Sequence, residues 1–438
     1  MVIGAEIWIW EKLAGAIFWD ESQQLASFEF DPSFLRSGWD IAPVTMPLGQ
    51  GKKLYSFPEL RRGRNDPFDT YKGLPGLLAD MLPDKYGNQL INAWLAQNGR
   101  ASNSLNPIEL LCFIGKRGVG ALEIKPSFRQ DAAKASNLEL ESLIGIANKI
   151  LNAKEGFQAD ISQEEESALA DILKIGTSAG GARAKAVIAF NPKTGEVKSG
   201  QVKAPEGFSH WIIKFDGVSD SQFGASVGYG RVEMAYYLMA IDAGIEMNEC
   251  RLLEENGRAH FMTKRFDRTD DGEKIHMQSL CGIRHFDFNQ VGYYSYEQVF
   301  ETMRMLRLSY PEAEQLFTRM VFNVLARNCD DHTKNFAFLM GKDGKWKLSP
   351  AYDICYAYRP GSHWVSSQSL QVNGKRDGII DSDFLEVARK MNIKKPEEKI
   401  YRVRSAVKKW LEFADQVKVD SHLSLSIKET LLVGVQVE

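Results

Sequence analysis

Cysteine is scarce in this chain of 438 residues. The five are scattered, at Cys112, Cys250, Cys281, Cys329 and Cys355. None forms a Cys-x-x-Cys pair, and the odd count argues against a disulfide framework or a structural zinc site. No run approaches the roughly 20 apolar residues of a membrane span. The N-terminal residues also lack a basic segment followed by an apolar core. A cytoplasmic protein in a reducing compartment is the expectation. Charge of one sign is missing too: 54 basic against 57 acidic residues leave a net −3. Nothing resembles a nucleic-acid-binding tail, so any DNA contact should be local or supplied by a partner. What is present is ordinary globular material. Hydrophobic residues make up 44% and charged residues 25%, enough for a sizeable core. The length suggests two or three domains.

Against that background one stretch stands out, Asn328-Cys-Asp-Asp-His-Thr-Lys-Asn335. Two acids, a His, a Lys and two amides fall between a helical pattern and an apolar strand. The preceding pattern starts at Pro311 with Glu312 and Glu314 nearby, and continues through Leu316, Phe317, Met320, Val321, Val324 and Leu325, as a buried helix should. Asp330 and Asn335 are five apart, the Asp-x-x-x-x-Asn spacing of protein-kinase catalytic loops. There the Asp accepts a hydroxyl proton and the Asn binds magnesium. Phe336 to Met340 reads as a strand, Gly341 to Lys345 as a turn, and Trp346 to Leu348 as the return strand. Tyr352-Asp353 then follows, placed like the metal-binding acid of a kinase. A surface loop with a capping Asp and a turn Asp is the bland alternative.

The rest of the chain supplies candidate partners. Residues 1 to about 60 read as β-rich, with period-2 alternation at Ile3 to Ile9 and again at Leu25 to Phe30. Leu82-Pro83-Asp84 with Gly87 reads as a turn launching a helix. A polar stretch, Arg129 to Asn137, marks a soft boundary. Helices are expected over 138–151 and from Ser162, which forms a capping-box pattern with Glu165. Gly176 to Lys185 then gathers three Gly, two hydroxyls and two cations, a plausible phosphate cradle. It leads into a strand at Ala186 to Phe190, unlike a Walker A loop, which opens a helix. Lys214 stands inside the apolar strand Trp211 to Phe215, and lysine is seldom fully buried unpaired. Glu233 follows at the front of a helix, either as the ion partner of Lys214 or as a favourable acid in a first turn. His260 to Arg268 runs from an apolar strand into charge, as a linker between lobes would. The tail reads as helices near Phe384 to Met391 and over Tyr401 to Val417.

Taken in order, Gly-Thr-Ser-Ala-Gly-Gly-Ala-Arg-Ala-Lys, the strand Lys, Lys-Arg-Phe-Asp-Arg, Asn-Cys-Asp-Asp-His-Thr-Lys-Asn and Tyr-Asp resemble the HipA-type serine/threonine kinase toxins of bacterial toxin–antitoxin modules. The early Leu-Pro-Asp-x-x-Gly is similar to that family's N-terminal region. The resemblance implies an α+β class, two-lobe protein-kinase-like fold. Its expected parts are an N-terminal β-rich subdomain over 1–130, a nucleotide-binding part over 131–266 and a helical catalytic lobe over 267–438.

By the same resemblance, Asp330 is the catalytic base, with Asp331 its competitor for the role. Asn335 and Asp353 would hold Mg2+. His332, Lys334 and Tyr352 would line ATP. Ala179, Gly180, Gly181, Ala182, Arg183, Ala184, Lys185 and Lys214 would hold phosphates, with Glu233 pairing Lys214. Lys264, Arg265 and Phe266 would form the hinge. Ser178 falls where the family autophosphorylates and silences itself, in keeping with the charge a phosphoryl group adds to a phosphate-binding loop. Ala184 departs from the family, where Pro is common. The implied partners are a small helix-turn-helix antitoxin (HipB-like) that binds operator DNA and, as substrate, an aminoacyl-tRNA synthetase, the glutamyl enzyme favoured. Two rival readings are a small-molecule kinase and a non-catalytic partner of a DNA-binding repressor.

Overall fold

The structure, a computed structural model, describes residues 4–50, 54–62, 66, 68–83, 87–88, 91–92, 95–96, 101–125, 185–200, 204–217, 228–255 and 257–434. The expected helices over 138–151 and from Ser162, and the glycine-rich loop up to Ala184, lie outside them. The chain divides into two compact units. The first comprises Met1–Ile41, Met46–Gly230 and Arg251–Met277, the second Ala42–Thr45, Arg231–Cys250 and Gln278–Glu438.

The first unit holds two antiparallel five-stranded sheets. One is built from β1 (Gly4–Ile9), β2 (Lys12–Asp20), β3 (Leu25–Phe30), β4 (Leu54–Tyr55) and β5 (Leu122–Lys125), in the order β4-β3-β2-β1-β5. The alternation read from Ala5, Ile7 and Ile9 is the buried face of β1. The helix Pro107–Ile114 packs on this sheet and is buried at every residue. It starts cleanly because Asn106 and Glu109 form a reciprocal capping box with Pro at the first position. The other sheet contains β6 (Lys185–Phe190), β7 (Val197–Ser199), β8 (Ser209–Lys214), β9 (Cys250–Glu255) and β10 (Arg258–Lys264), in the order β7-β6-β8-β10-β9. β6 is buried throughout and β8 is its inner neighbour.

The second unit is mostly helical. Its long element is the helix Tyr310–Leu325, opened by a Ser309–Glu312 capping box and buried without a break from Leu316 to Leu325. Tyr236, Phe322 and Trp410 pack edge to face at its heart, with centroids 6.2 Å and 5.2 Å from the Tyr236 ring. The Tyr236 hydroxyl donates to the Ala326 carbonyl at 2.6 Å, capping the end of the long helix. The tail departs from the single helix expected over Tyr401 to Val417. It is two helices, Pro396–Lys408 and Trp410–Gln416. The chain bends at Lys409, which buries the Trp410 ring and lets its indole N–H donate to the Ser424 carbonyl at 2.9 Å. Burying an indole with its polar end satisfied outweighs continuing the helical ladder.

Candidate functional site

The acid-amide loop sits where the buried helix ends. Arg327, just past that helix, has a left-handed φ of 53°, and Asn328 turns back to bond Asn323 at 2.9 Å. The Cys329 N–H donates to the Ala357 carbonyl. His332 caps a single turn over Thr333–Asn335, its Nδ1 accepting the Lys334 N–H at 3.3 Å. The Thr333 hydroxyl fastens to the Phe286 carbonyl at 2.7 Å. The loop then closes on itself: Asn335 Nδ2 donates to the Asp330 carbonyl at 2.7 Å. That bond leaves the Asn335 amide oxygen as the atom with which to meet a cation.

The two adjacent acids have opposite surroundings. The Asp330 side chain is 39% exposed, with an oxygen 3.7 Å from His332 Nε2. Asp331 is buried and accepts from the Tyr296 hydroxyl at 2.7 Å, Gln368 Nε2 at 3.0 Å and the Ser369 N–H at 2.7 Å. Burial pushes its carboxyl up to about 6 against those hydrogen bonds. Burial and the neighbouring carboxylate together drive the Tyr296 phenol far above its usual range.

After the loop, β12 (Ala337–Met340) and β13 (Trp346–Leu348) form a hairpin in the register Phe338↔Leu348 to Met340↔Trp346. β11 (His276–Ser279) precedes them in the chain. The hairpin returns the chain to the loop. The Tyr352 hydroxyl donates to the Lys334 carbonyl at 2.5 Å, so the neighbours of Asn335 and Asp353 are in contact. Asp353 itself has a φ of 51°, a conformation uncommon for a residue other than glycine. Such geometry persists where surrounding structure over-determines it. Here the Ala351 N–H is held by the Glu246 carbonyl, the Leu348 N–H by Glu312 and the Ser349 carbonyl by Arg319. Arg319 is buried in the long helix, and that burial draws its guanidinium down to about 10.

In the first unit, Lys185 and Lys214 are direct cross-strand partners on β6 and β8. Opposite residues of an antiparallel pair share a face, and like charges placed so repel. A shared face with two ammonium groups is suited to an anion. Lys214 Nζ also stands 5.6 Å from the Phe261 ring. Glu233 belongs to the helix Tyr229–Asp242 of the second unit. It is buried and lies beyond the first turn, so the helix-terminus explanation of this acid fails.

The expected hinge divides in character. Lys264 pairs with exposed Asp270 at 2.6 Å. Phe266 is half-buried. Arg265 turns inward, donating two hydrogen bonds to Asp267 at 2.8 Å and 2.6 Å. Asp267 also accepts the Gly120 N–H and a contact from Arg268. Burial alone would raise the Asp267 carboxyl, but Arg265 and Arg268 hold it well below the usual carboxylate range. Of the residues expected to hold phosphate, Ala179 to Ala184 lie outside the described residues, as does Ser178.

Sequence reasoning missed Asp331's network, the Arg319 brace and the Asp267 clasp. A signal existed for the last: an acid between two arginines. Among the described residues no cluster of three or more His, Cys, Asp or Glu is set to hold a metal. Asn335 and Asp353 instead offer one amide and one carboxylate, hard oxygen donors that suit magnesium when phosphate oxygens complete the shell.

Antiparallel sheets in one unit and helices around a loop-and-hairpin in the other make this an α+β fold. The chain belongs to the HipA family. The family model for the HipA-like C-terminal domain matches residues 177–411, and that for the HipA N-terminal domain matches 5–125. It is 29% identical over 102 residues to a candidate kinase of Haemophilus influenzae, covering 22% of this chain and 30% of that protein. It is 26% identical over 137 residues to a candidate kinase of Sinorhizobium fredii, Y4mE, covering 28% and 32%. These matches span about a third of the length of those relatives. In fold it is similar to a chain of the solved complex of the Shewanella oneidensis toxin–antitoxin system HipA, HipB and its operator DNA. There the TM-score is 0.69 at 15% identity, over 98% of this chain and 96% of that one. No helix among the described residues is long and apolar enough to cross a membrane.

Proposed function

We propose that this chain is an ATP- and magnesium-dependent protein kinase acting on a serine or threonine hydroxyl. The observation that carries the reading is the closed loop from Asp330 to Asn335, with the hairpin that returns Tyr352 and Asp353 to it. Its order of base, amide, hairpin and acid is that of kinase phosphoryl transfer. In this scheme the half-exposed Asp330 carboxylate orients the substrate hydroxyl and takes its proton. Asn335 and Asp353 would hold the magnesium ion, which would supply neutralisation of phosphate charge. Within the first unit, the cross-strand partners Lys185 and Lys214 offer ammonium groups suited to phosphate oxygens, and Lys334 and Tyr352 bound the loop in the second.

Family membership supports three finer proposals. The chain acts as the toxin of a cytoplasmic toxin–antitoxin pair, held by a small operator-binding antitoxin. Its substrate is an aminoacyl-tRNA synthetase, the glutamyl enzyme favoured. Autophosphorylation at Ser178 silences it by placing negative charge in a loop that receives phosphates.

The test is transfer of radiolabel from ATP, with magnesium, by the purified full chain. Asp330→Asn and Asp353→Asn should each lower transfer by about 100-fold or more. A variant that labels as well as the parent removes its residue from the site. Label appearing only on added metabolites, never on protein, turns the reading toward a small-molecule kinase.

A further inference from the structure

The carboxylate next to the proposed base has no part in the kinase template, yet separate elements of the second unit converge on it. Asp331 receives donors from two separate places: the Tyr296 hydroxyl at the start of the helix Tyr296–Met305, and Gln368 with Ser369 from the segment before Leu370. The long helix reaches the same point, because Asn323 Nδ2 donates to the Tyr296 hydroxyl at 2.9 Å. The segment that holds Asp331 also holds its predecessors. Gln368 Nε2 donates to the Asn328 carbonyl at 3.2 Å, the Ser369 hydroxyl to the Cys329 carbonyl at 3.0 Å, and Cys329 Sγ to Gln368 Oε1 at 3.0 Å.

Asp330 is thus bracketed. Residues on both sides are pinned to one buried segment, while its own side chain stands outward. Asp331 is buried while the adjacent Asp330 side chain is 39% exposed, so fixing Asp331 also fixes the backbone that carries Asp330. The phenol, the amide and the backbone N–H that meet Asp331 are all neutral. A carboxylate is the side chain that accepts from all of them at once, since ionised Asp is acceptor-only with two oxygens. An amide in its place would present N–H groups to donors.

We propose that Asp331 is a positioning residue, holding the loop so that Asp330 and Asn335 keep one fixed geometry, without itself touching substrate or nucleotide. This rests on the phosphotransfer reading for its consequence in rate, though not for the loop geometry itself. Misplacing a reacting group by an ångström costs about 100-fold in rate. Binding of ATP draws on many contacts that such a shift leaves intact.

The experiment compares parent, Asp331→Asn and Tyr296→Phe as purified full chains. Tyr296→Phe removes one donor and keeps the carboxylate, and stands in should Asp331→Asn fail to fold. Two readouts are taken: label transfer against ATP concentration, and hydrogen exchange at the amides of Cys329 and Asn335, which are bonded to Ala357 and His332. For Asp331→Asn the maximal transfer rate should fall by about 100-fold, with the ATP concentration for half-maximal rate little changed. Tyr296→Phe should fall between it and the parent. In both variants the loop amides should exchange faster, while amides of the hairpin β12–β13 exchange as in the parent. Unchanged exchange at the loop overturns the proposal, whether or not the parent transfers label. Faster loop exchange with an unchanged maximal rate overturns it too. A parent that transfers no label, with loop exchange accelerated in the variants, sinks the kinase reading and leaves the anchoring role of Asp331 standing.

Discussion

Two carboxylates, one in each unit, are buried almost completely, and the protein treats them in opposite ways. Asp267 is 3% exposed and sits between two guanidinium groups, with the Gly120 N–H as a further donor. Asp331 is 1% exposed and is met by a phenol, a side-chain amide and backbone N–H groups. One carboxyl is held below the ordinary range, the other raised to about 6. The first is a structural clasp. Arg265 and Arg268 also reach the carbonyls of Gly118 and Gly120, so the charge cluster ties the approach to β5 to the end of β10. The second is a charge kept where neutrality would suit the fold better. Proteins tolerate that near chemistry more readily than elsewhere.

Breaking the clasp should have the larger effect on stability. Asp267→Asn leaves two buried guanidiniums without their anion, and removing one partner of such a pair costs about 3–5 kcal/mol. Denaturant titration at pH 7 reads this directly. The sign with pH follows from the depressed carboxyl. Its contribution is present above the unfolded value of 3.8 and is lost as pH falls through the still lower folded value. The cost of Asp267→Asn should therefore stay constant from pH 7 down to about 5. A cost under 1 kcal/mol would mean that the clasp is not what joins these segments.

Asp331 should behave in the reverse sense. A carboxyl raised from 3.8 to about 6 contributes stability below the unfolded value, and loses it as pH rises through the folded one. A displacement of that size is worth about 3 kcal/mol. Relative to the parent, Asp331→Asn should gain up to that amount between pH 4 and pH 7. Its lost hydrogen bonds set the offset of the curve and leave the slope alone. Denaturant titrations at several pH values measure it. A flat difference would show that Asp331 is ionised without penalty, and the contrast with Asp267 would disappear.

These two acids also mark what could be read in the amino-acid order. The local features were legible: alternation in β1 and β3, the capped helix before the loop, the hairpin after it, and the run Asp330 to Asn335. Each rests on neighbours within a few residues, where periodicity, caps and turns carry the signal. Asp331's partners lie 35 to 38 residues away in the chain, at Tyr296, Gln368 and Ser369. Nothing in a linear spacing marks such a meeting. The bend at Lys409 was hidden for the same reason, being set by where Trp410 finds Ser424. β9 and β11 carry polar and charged residues and lack the apolar run that marks a strand. Glu233 resembles a helix-start acid because its helix begins at Tyr229, ahead of the regular apolar spacing that follows.

A third acid sharpens the comparison by changing exposure while keeping close contact. Lys264 and Asp270 approach to 2.6 Å, as near as any pair in the clasp, yet the Asp270 side chain is 80% exposed. Distance alone would rank this pair with Arg265–Asp267. Solvent reverses the ranking, because water screens both charges and both side chains lose rotamer freedom when they meet. Asp270→Asn should change stability by no more than about 1 kcal/mol. The change should shrink further in high salt, where screening shortens to a few ångströms, whereas the loss in Asp267→Asn should hold nearly constant. Paired denaturant titrations of the two variants at low and high salt make the measurement. If Asp270→Asn costs as much as Asp267→Asn, or if salt weakens both alike, then burial is not what sets the worth of a charge in this protein. The different treatment of Asp267 and Asp331 would then need another cause.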